Sequence, residues 1–428
     1  MKLDPFGTID STYSNNPAAT WKKLLGFGGS QVFHDPELGL WLIAGYDNVR
    51  SALTDSRRFS NAATLAPIRP LSDATAEALA GFDAPDVLVS ADAPQHTLIR
   101  ATLRALFPNT SARAEHAWAA LIAARVDQLV DDLAGQDNTD LMRTVAARLP
   151  LLVILDILGI AADDLHTIPG WADGFLDLVW GDLGPDAQLA AAHGFVDFWH
   201  LCRSTVTTRA SQPDPGPGLI GDLLRHQRGN DARLSMDKIA ALVLNLTVAG
   251  WESTTGALGH ALEHGLTDPH RWAQLADDEH YLATHVEESL RHSPAVDGWP
   301  RITTTEVTLD GTVIPAGSRC LLLIGSANHD PRVYGTPDRF DPGRAWLSQH
   351  LSFGAGPHYC IGAALARLEI TTTLRTLARR FPHLRLADDY QRRFRPNVAA
   401  RTHQSLPATT GTATRCPYGH DTSSGTRP

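Results

Sequence analysis

The chain has 428 residues, of which 43% are hydrophobic, so it can bury a large core and is not predicted to be disordered. Its formal net charge of −10 at pH 7 disfavours nucleic-acid binding, because contacts with phosphate require a basic surface. The four cysteines are far apart, with no CxxC pair and no short Cys/His ladder. Neither a disulfide framework nor a structural zinc site is therefore predicted.

Membrane and export signals are not apparent in the sequence. The N-terminal segment, residues 1–17, contains no apolar run typical of a signal peptide. The longest apolar stretches, 151–155 and 239–244, are far shorter than the ~20 residues that span a bilayer. We therefore expect a cytoplasmic protein that has neither a membrane nor a nucleic-acid partner.

Taken in chain order, the first predicted element is a β-hairpin over residues 31–46, where apolar residues flank a turn signal at 35–39. Between residues 93 and 381, apolar residues recur mostly at helical spacing, and Pro and Gly separate the segments. Short strands are predicted at 304–314 and 318–324. The predicted helices cover 114–134, 139–159, 186–210, 235–265, 278–292 and 361–380.

These elements predict a mainly α fold with small β-sheets (α+β). The β-rich parts are expected at about 28–50 and 295–325, and the remainder is expected to be helical. Residues 408–428 are small, polar and rich in Gly and Thr, so we predict a disordered C-terminal tail that includes Cys416.

The most informative segment is LSFGAGPHYCIGAALARLE, residues 351–369. Gly354 and Gly356 permit backbone conformations and close approaches that other residues forbid. Cys360 precedes a predicted helix, whose unpaired amides and dipole favour the thiolate over the thiol. The glycines also leave space for a flat group beside the sulfur. These features predict a metal ligand or a nucleophile, with a buried cysteine in a tight turn as the alternative.

The spacing of residues in this segment resembles the haem-binding loop of the cytochrome P450 family. The matching positions are Phe353, Gly354, Gly356, His358, Cys360 and Gly362. The resemblance implies a single cytochrome P450-like domain over 1–407, built around a buried haem b. It also implies that Cys360 is the thiolate ligand of the haem iron, that His358 reaches a haem propionate and that Phe353 packs beside the sulfur.

Two further motifs of that family follow in the expected order. Glu288 and Arg291 are three residues apart on a predicted helix, a spacing that alone would indicate a surface ion pair. In the family this pair is buried and holds the segment before the cysteine loop, and residues 328–344 closely resemble that segment. The resemblance therefore implies a structural role for Glu288 and Arg291.

Three cations are candidates to bind the haem propionates. His96 and Arg100 are four residues apart and leave the same face of a predicted helix, as in the family, and Arg301 is the third. Two carboxylates beside a buried iron need cationic partners, because an unpaired buried charge is costly. Solvated surface charges are the alternative for each residue.

The long predicted helix over 235–265 contains VAGWESTT, which resembles the oxygen-activating motif of the family. The resemblance places Ala249 and Gly250 at the oxygen cleft and makes Glu252 and Ser253 a catalytic proton relay. Ser253 stands where the family usually has threonine. A serine is also compatible with haem-thiolate enzymes that couple aromatic rings without inserting oxygen.

The substrate pocket is predicted from helical spacing and from family position. Asn245, Ala249 and Ser253 lie at i, i+4 and i+8, so they share the haem-facing stripe of the helix. Asn245 is then a polar group in a largely apolar pocket. The resemblance implies that Trp171–Trp180 and Trp199–His200 lie in segments that form a lid over the pocket, and their aromatic residues favour a flat or aromatic substrate. The remaining pocket candidates are Val248, Ala295, Val296 and Val398.

The resemblance implies a haem-dependent monooxygenase that activates O2 with two electrons and hydroxylates an apolar, aromatic or natural-product substrate. A ferredoxin and a ferredoxin reductase are the expected electron donors, and Arg367 is either a docking residue for the ferredoxin or a solvated helix arginine. One alternative is oxidative C–C or C–N coupling of a peptide- or indole-derived secondary metabolite. The other is a haem-binding sensor without catalytic activity.

Overall fold

A computed structural model describes residues 16–26, 30–160, 168–228 and 234–411, and the side chains of 168–173 are left out of that description. Within these residues the fold is mainly helical with small sheets, which confirms the predicted fold class. No helix in the described ranges has the length and apolarity needed to cross a membrane.

The helices account for most of the described chain. A π-helical segment covers Met142–Ala146, and short 3-10 turns cover Leu347–Gln349 and Gly356–His358. The α-helices are α1 (Pro17–Gly26), α2 (Tyr46–Thr54), α3 (Asp73–Leu79), α4 (Gln95–Leu106), α5 (Ser111–Asp131), α6 (Arg148–Leu158), α7 (Ile168–Trp180), α8 (Pro185–Ala210), α9 (Gly218–Gln227), α10 (Met236–Leu266), α11 (Pro269–Asp277), α12 (Glu279–His292), α13 (Ile324–Asn328) and α14 (Ala363–Arg380).

The strands form a five-stranded sheet of order β1-β2-β8-β5-β3, a three-stranded sheet of order β4-β10-β9 and a β6-β7 hairpin. In the largest sheet, β1 and β2 form the predicted hairpin, and β2 pairs in parallel with β8. The strands are β1 (Val32–Asp35), β2 (Leu40–Ile43), β3 (Phe59–Ser60), β4 (Asn138–Asp140), β5 (Gly298–Thr303), β6 (Val307–Leu309), β7 (Thr312–Ile314), β8 (Arg319–Leu323), β9 (Arg385–Leu386) and β10 (Pro407–Thr409).

The helix α10 is the central element of the core and positions the site. It is 31 residues long, and the side chain of Ser235 caps it by accepting a hydrogen bond from Lys238 N. Nearly every turn is buried, because α6, α8, α12 and α14 all pack against it. An apolar helix without a polar face is expected to lie inside a large protein, and α10 does so.

The predicted helix over 139–159 is wrong only at its start, because residues 139 and 140 lie in a strand and helical structure begins at residue 141. Strand β4 pairs with β10, and the π-helical segment precedes α6. The carboxylate of Asp140 explains the difference, because it accepts hydrogen bonds from Met142 N at 3.0 Å and from Leu406 N at 2.9 Å. A partner distant in sequence therefore fixes the backbone before the helix can begin.

Two other boundaries also differ from the prediction. The predicted strand over 304–314 is a hairpin, β6 and β7, which turns at Asp310 and Gly311, both of which have positive φ. The ordered chain also continues past residue 407, because Ala408 pairs with β4 and β9 and is only 1% exposed. The rest of the predicted tail, residues 412–428 with Cys416, lies outside the described residues.

Candidate active site

The loop that carries Cys360 is fixed by two glycines and one backbone hydrogen bond. Gly354 and Gly356 have φ values of 71° and 69°, in the left-handed region that favours glycine. A Cβ atom on Gly356 would lie 2.9 Å from the Cα atom of Thr54, so α2 leaves no room for a side chain there. Cys360 N donates to the carbonyl of Phe353 at 2.9 Å. The loop is closed on itself and holds Cys360 at one wall of a cavity.

Cys360 is an exposed residue, and the space that it faces is this interior cavity. The sequence predicts that the start of a helix at Cys360 favours the thiolate, but α14 begins only at Ala363. Burial raises the pKa of Cys360, although the Gly362 N–H and the cations Arg100 and Arg367 act to lower it. The free side chain is therefore a thiol, and a bound metal ion would deprotonate it.

Four basic residues meet at the rim of the same cavity, from three separate elements. His96 and Arg100 lie on α4, Arg301 on β5 and His358 on the cysteine loop. The rings of His96 and His358 stack with centroids 3.8 Å apart, and His358 Nε2 lies 3.0 Å from Asn61 Nδ2. Burial lowers the pKa of His358 to about 3. The sequence candidates for propionate contacts are thus brought together in space.

In the described part of the chain, Asp92 is the only carboxylate that acts on Arg301 at this rim, and it does not contact the guanidinium. Arg301 is only 2% exposed and burial lowers its pKa to about 9, yet no ion-pair partner for it occurs among the described residues. Its recorded hydrogen bond runs from Nη1 to the Pro300 carbonyl at 2.7 Å. His96 Nε2 is also buried and has no hydrogen-bond acceptor or donor in the described chain. Buried unpaired cations are costly, so the rim fits an anionic group.

The face of α10 that borders the cavity contains the predicted stripe Asn245, Ala249 and Ser253. Ser253 Oγ donates to the carbonyl of Ala249 at 2.7 Å, which is the side-chain-to-backbone bond that loosens a helix locally. Gly250 also borders the cavity, and a Cβ atom there would meet Ile154 of α6 at 3.2 Å. The absence of a side chain at Gly250 therefore lets α10 pack closely against α6 at the cavity wall.

Two predicted residues of the site do not border the cavity. Glu252 is buried but does not border the cavity. It precedes Ser253 by one residue, and one residue turns a helix by about 100°, so the two side chains leave different faces of α10. Val398 is fully buried, and its N–H donates to the Trp180 carbonyl at 3.0 Å, so it supports the wall from behind. Trp251 is a core residue whose Nε1 donates to the Ala147 carbonyl at 2.7 Å.

The lining of the cavity is mostly apolar, and the side-chain amide of Asn245 is one of its few polar groups. Asn245 has no hydrogen-bond partner among the described residues. Trp180 and Trp299 form an edge-on pair with ring centroids 5.7 Å apart. Trp299 was not predicted, although it shares a face of β5 with Arg301, as the period of a strand indicates. The apolar lining consists of Leu65, Leu88, Val89, Phe175, Leu176, Trp180, Leu244, Val248, Ala295, Val296 and Trp299.

The ion pair of Glu288 and Arg291 lies beneath the cysteine loop and is fully buried. Arg291 donates from Nε and Nη2 to the two carboxylate oxygens of Glu288 at 2.7 and 2.8 Å. Its Nη1 donates to the carbonyl of Asn328, whose side chain in turn accepts from Leu351 N at 2.8 Å. The pair is thereby connected to the residue that opens the cysteine loop.

A second group of potential metal ligands lies in the core, at His260, Glu263 and His403. Glu263 already accepts hydrogen bonds from Tyr390, Arg392 and His403 at 2.7, 2.7 and 3.1 Å. A guanidinium therefore already neutralises this carboxylate. We interpret the group as a structural network and not as a metal site.

The cysteine, the basic rim and the apolar cavity are the features of a haem-thiolate protein. A flat dianionic porphyrin fits them, because the cations match its carboxylates and the sulfur matches its iron. The family model described as "Cytochrome P450" matches residues 201–402. Cytochrome P450 107B1 of Saccharopolyspora erythraea is 33% identical over 87% of this chain and 90% of that protein.

Other relatives agree over nearly the whole chain. The cytochrome P450 monooxygenase PikC of Streptomyces venezuelae is 32% identical over 94% of this chain and 92% of its own. The structure of cytochrome P450 CREJ in complex with (4-ethylphenyl) dihydrogen phosphate superimposes with a TM-score of 0.87 at 31% identity, covering 93% of this chain and 98% of that one. The chain belongs to the cytochrome P450 family and is a monooxygenase whose cofactor is thiolate-ligated haem.

Proposed function

We propose that this monooxygenase hydroxylates a largely apolar, aromatic secondary metabolite, using O2 and two electrons from a separate ferredoxin and ferredoxin reductase. The observation that carries the proposal is the apolar cavity with one partnerless amide, Asn245, on the same helix face as Ser253. Apolar walls with a few placed polar groups are typical of a site for one class of small molecule.

In this proposal the protein residues divide into three tasks. Cys360 would ligate the haem iron, and the rim residues His96, Arg100, Arg301 and His358 would bind the haem carboxylates. When bound, the haem supplies the binding and reductive activation of dioxygen. The buried pair Glu288–Arg291 would hold the segment that begins the cysteine loop.

We assign proton delivery to Glu252 and Ser253. Because Ser253 Oγ donates its own hydrogen to the Ala249 carbonyl, its lone pairs are free to accept a hydrogen bond from a water molecule in the cavity and would hold that water in place. Glu252 is buried one residue before it and would be the source of the proton. The wall of aromatic and aliphatic side chains would exclude other water and align the substrate.

The proposed reaction is tested by oxygen labelling. The holoprotein is supplied with heavy-isotope O2, a ferredoxin and its reductase, and a substrate found by spectral shift among polycyclic, indole and peptide-derived compounds. The expected product carries one labelled oxygen atom. A coupled product without label would replace hydroxylation by oxidative aromatic coupling.

Two further results would contradict the proposal. Tight spectral shifts with fatty acids, but none with aromatic scaffolds, would contradict the substrate class. If Ser253→Ala and Glu252→Ala variants kept full biological output without turnover, the chain would instead be a haem-binding sensor.

A further inference from the structure

Arg367, a candidate docking residue in the sequence, is half-buried and lies near Cys360, with its side chain 27% exposed. It lies on α14, two turns after Cys360. Its Nε and Nη2 atoms donate to Oε1 and Oε2 of Glu287 at 2.5 and 2.9 Å. Its guanidinium carbon lies 4.4 Å from the centre of the Phe353 ring. A planar guanidinium that is both bidentate and stacked has a fixed position.

Glu287, on α12, is held by a second partner. His350 Nε2 lies 3.2 Å from Glu287 Oε2, while His350 Nδ1 accepts from Ser352 N at 3.2 Å. The Nδ1 contact leaves the ring proton on Nε2, so His350 donates to Glu287. Burial opposes ionisation of Glu287, but the hydrogen bonds from Arg367 and His350 outweigh it and lower its pKa to about 2.

Phe353 connects this ion pair to the cysteine. Its carbonyl accepts the hydrogen bond of Cys360 N, and its side chain lines the cavity that Cys360 faces. The ring of His350 lies 5.8 Å from the Phe353 ring, on the side of Glu287. A fixed cation and a fixed anion thus lie behind the aromatic ring beside the sulfur. Groups around a thiolate ligand change the reduction potential of its metal.

We propose that Arg367 and Glu287 are a positioning pair that sets the reduction potential of the haem iron and holds the Phe353 ring beside Cys360. The cation of Arg367 favours the ferrous state, which carries one positive charge less than the ferric state, and Glu287 limits that effect. The inference goes beyond the proposed function, and it rests on Cys360 being the iron ligand.

The test is the midpoint potential of the isolated holoprotein, in which one electron reduces ferric to ferrous iron without a protein partner. Arg367→Met is expected to lower the potential and Glu287→Gln to raise it. Each is expected to change the reduction equilibrium constant up to tenfold, or about 59 mV for one electron. Arg375→Met is the matched control, because Arg375 lies on the same helix and pairs with Glu279 at 3.5 Å.

Shifts of the midpoint potential in opposite directions in the two variants support the proposal. Structural damage alone would not shift the potential one way when a cation is removed and the other way when an anion is removed. Shifts of the same sign, or shifts no larger than in Arg375→Met, would overturn it. Slower reduction by ferredoxin at an unchanged potential would return Arg367 to a docking role. If Arg367→Met does not retain haem, Arg367→Lys replaces it and should give a potential near that of the wild type with weaker stacking of Phe353.

The ligand assignment is checked separately with the ferrous–CO spectrum. Cys360→Ser should lose the thiolate-type spectrum that the wild type shows. A wild-type protein without that spectrum would overturn the assignment of Cys360, and with it the proposed function, independently of the potentials of the ion-pair variants.

Discussion

At the scale of single residues, Asn245 is expected to select the substrate. A buried site that contains an unsatisfied amide binds a ligand with a hydrogen-bonding group better than its hydrocarbon analogue, by about 1 kcal/mol per bond, or about fivefold. We expect wild-type protein to bind 9-fluorenone more tightly than fluorene, and Asn245→Leu to lose this preference. Spectral titration of the ferric enzyme measures both dissociation constants.

The control for this prediction is Val248→Ala, which changes an apolar residue of the same helix face and should weaken both probes alike. A preference for the ketone that survives in Asn245→Leu would show that the amide does not contact the ligand.

Replacing Arg301 is expected to have opposite effects on the apoprotein and on the haem-bound protein. Its buried cation lacks an ion-pair partner in the described chain, so Arg301→Met should stabilise the apoprotein by about 1–3 kcal/mol. The same change removes a predicted carboxylate partner of haem, so it should speed transfer of haem to apomyoglobin. Urea unfolding of the apoprotein and the transfer rate measure the two effects. A destabilised apoprotein would mean that Arg301 has a partner within the protein.

The residues of this site differ in how far the sequence alone could predict them. The cysteine loop was predictable because its glycines, His358 and Cys360 are contiguous. The sequence could not show that Arg367 is paired and so left a docking role open. Its partner Glu287 is 80 residues away, and their pairing depends on how α12 packs against α14. The stripe of Asn245, Ala249 and Ser253 borders the cavity, as helical spacing places it, whereas Val398 lies behind the wall because a loop position does not determine which side chain reaches the cavity.

At the scale of elements, the loop after α3 is connected to α8 by a hydrogen bond and by packed aromatic rings. Asp83 accepts a hydrogen bond from Trp199 Nε1 at 2.9 Å, and the Phe82 ring lies 4.6 Å from that of Phe195. Phe195 stacks at 3.9 Å on Phe175, which lines the cavity. The same loop continues to Leu88 and Val89 in the cavity wall. These contacts therefore connect that part of the wall, through α8, to Phe175.

We therefore expect Asp83→Asn to speed both entry and exit of 4-phenylimidazole severalfold and to leave its dissociation constant unchanged. Loss of a charge-assisted hydrogen bond would let this loop move away from α8 more often without altering the bound state. Stopped-flow absorbance measures both rates. Asp237→Asn is the control, because Asp237 pairs with Arg203 at 3.3 Å but does not bind Trp199. A change in only one of the two rates would contradict the prediction.

Predictions from sequence patterns were wrong where the structure of a segment depends on pairing with a distant element. Apolar periodicity predicted one helix across 139–159, and it could not report that β10 would pair with β4 from the far end of the chain. The same pairing places Ala408 and Thr409, two of the small residues of the predicted tail, in a sheet. Long segments with strong helical period, such as α10, were predicted nearly to the residue.

At the scale of the whole molecule, a layer of histidines, five of them buried and His292 half-buried, is the main titrating feature between α10, α12 and the chain that follows them. Burial is the largest cause that lowers the pKa of each, to about 4 for His285 and to about 3 for His292. The layer consists of His260, His264, His285, His292, His329 and His403.

These histidines stay neutral in the folded protein and take up protons on unfolding. Below about pH 6.5 the unfolded chain binds more protons than the folded one, so stability falls as the pH falls. Two buried acids oppose this trend, because burial raises the pKa of Asp297 to about 7 and that of Glu369 well above its usual value. Six histidines outnumber two acids, so we expect a net loss of stability in acid.

His285 offers the sharpest measure of this effect. Its pKa of about 4 places its share of the loss between pH 6.5 and 4, at about 1.4 kcal/mol per pH unit. Glutamine can keep the hydrogen bond to the Ala261 carbonyl, now 3.0 Å from His285 Nε2, but cannot take a proton. His285→Gln should therefore flatten the pH dependence of urea unfolding in that window. His193→Gln, at an exposed histidine of α8, is the control, and equal slopes in all three proteins would contradict the role of burial.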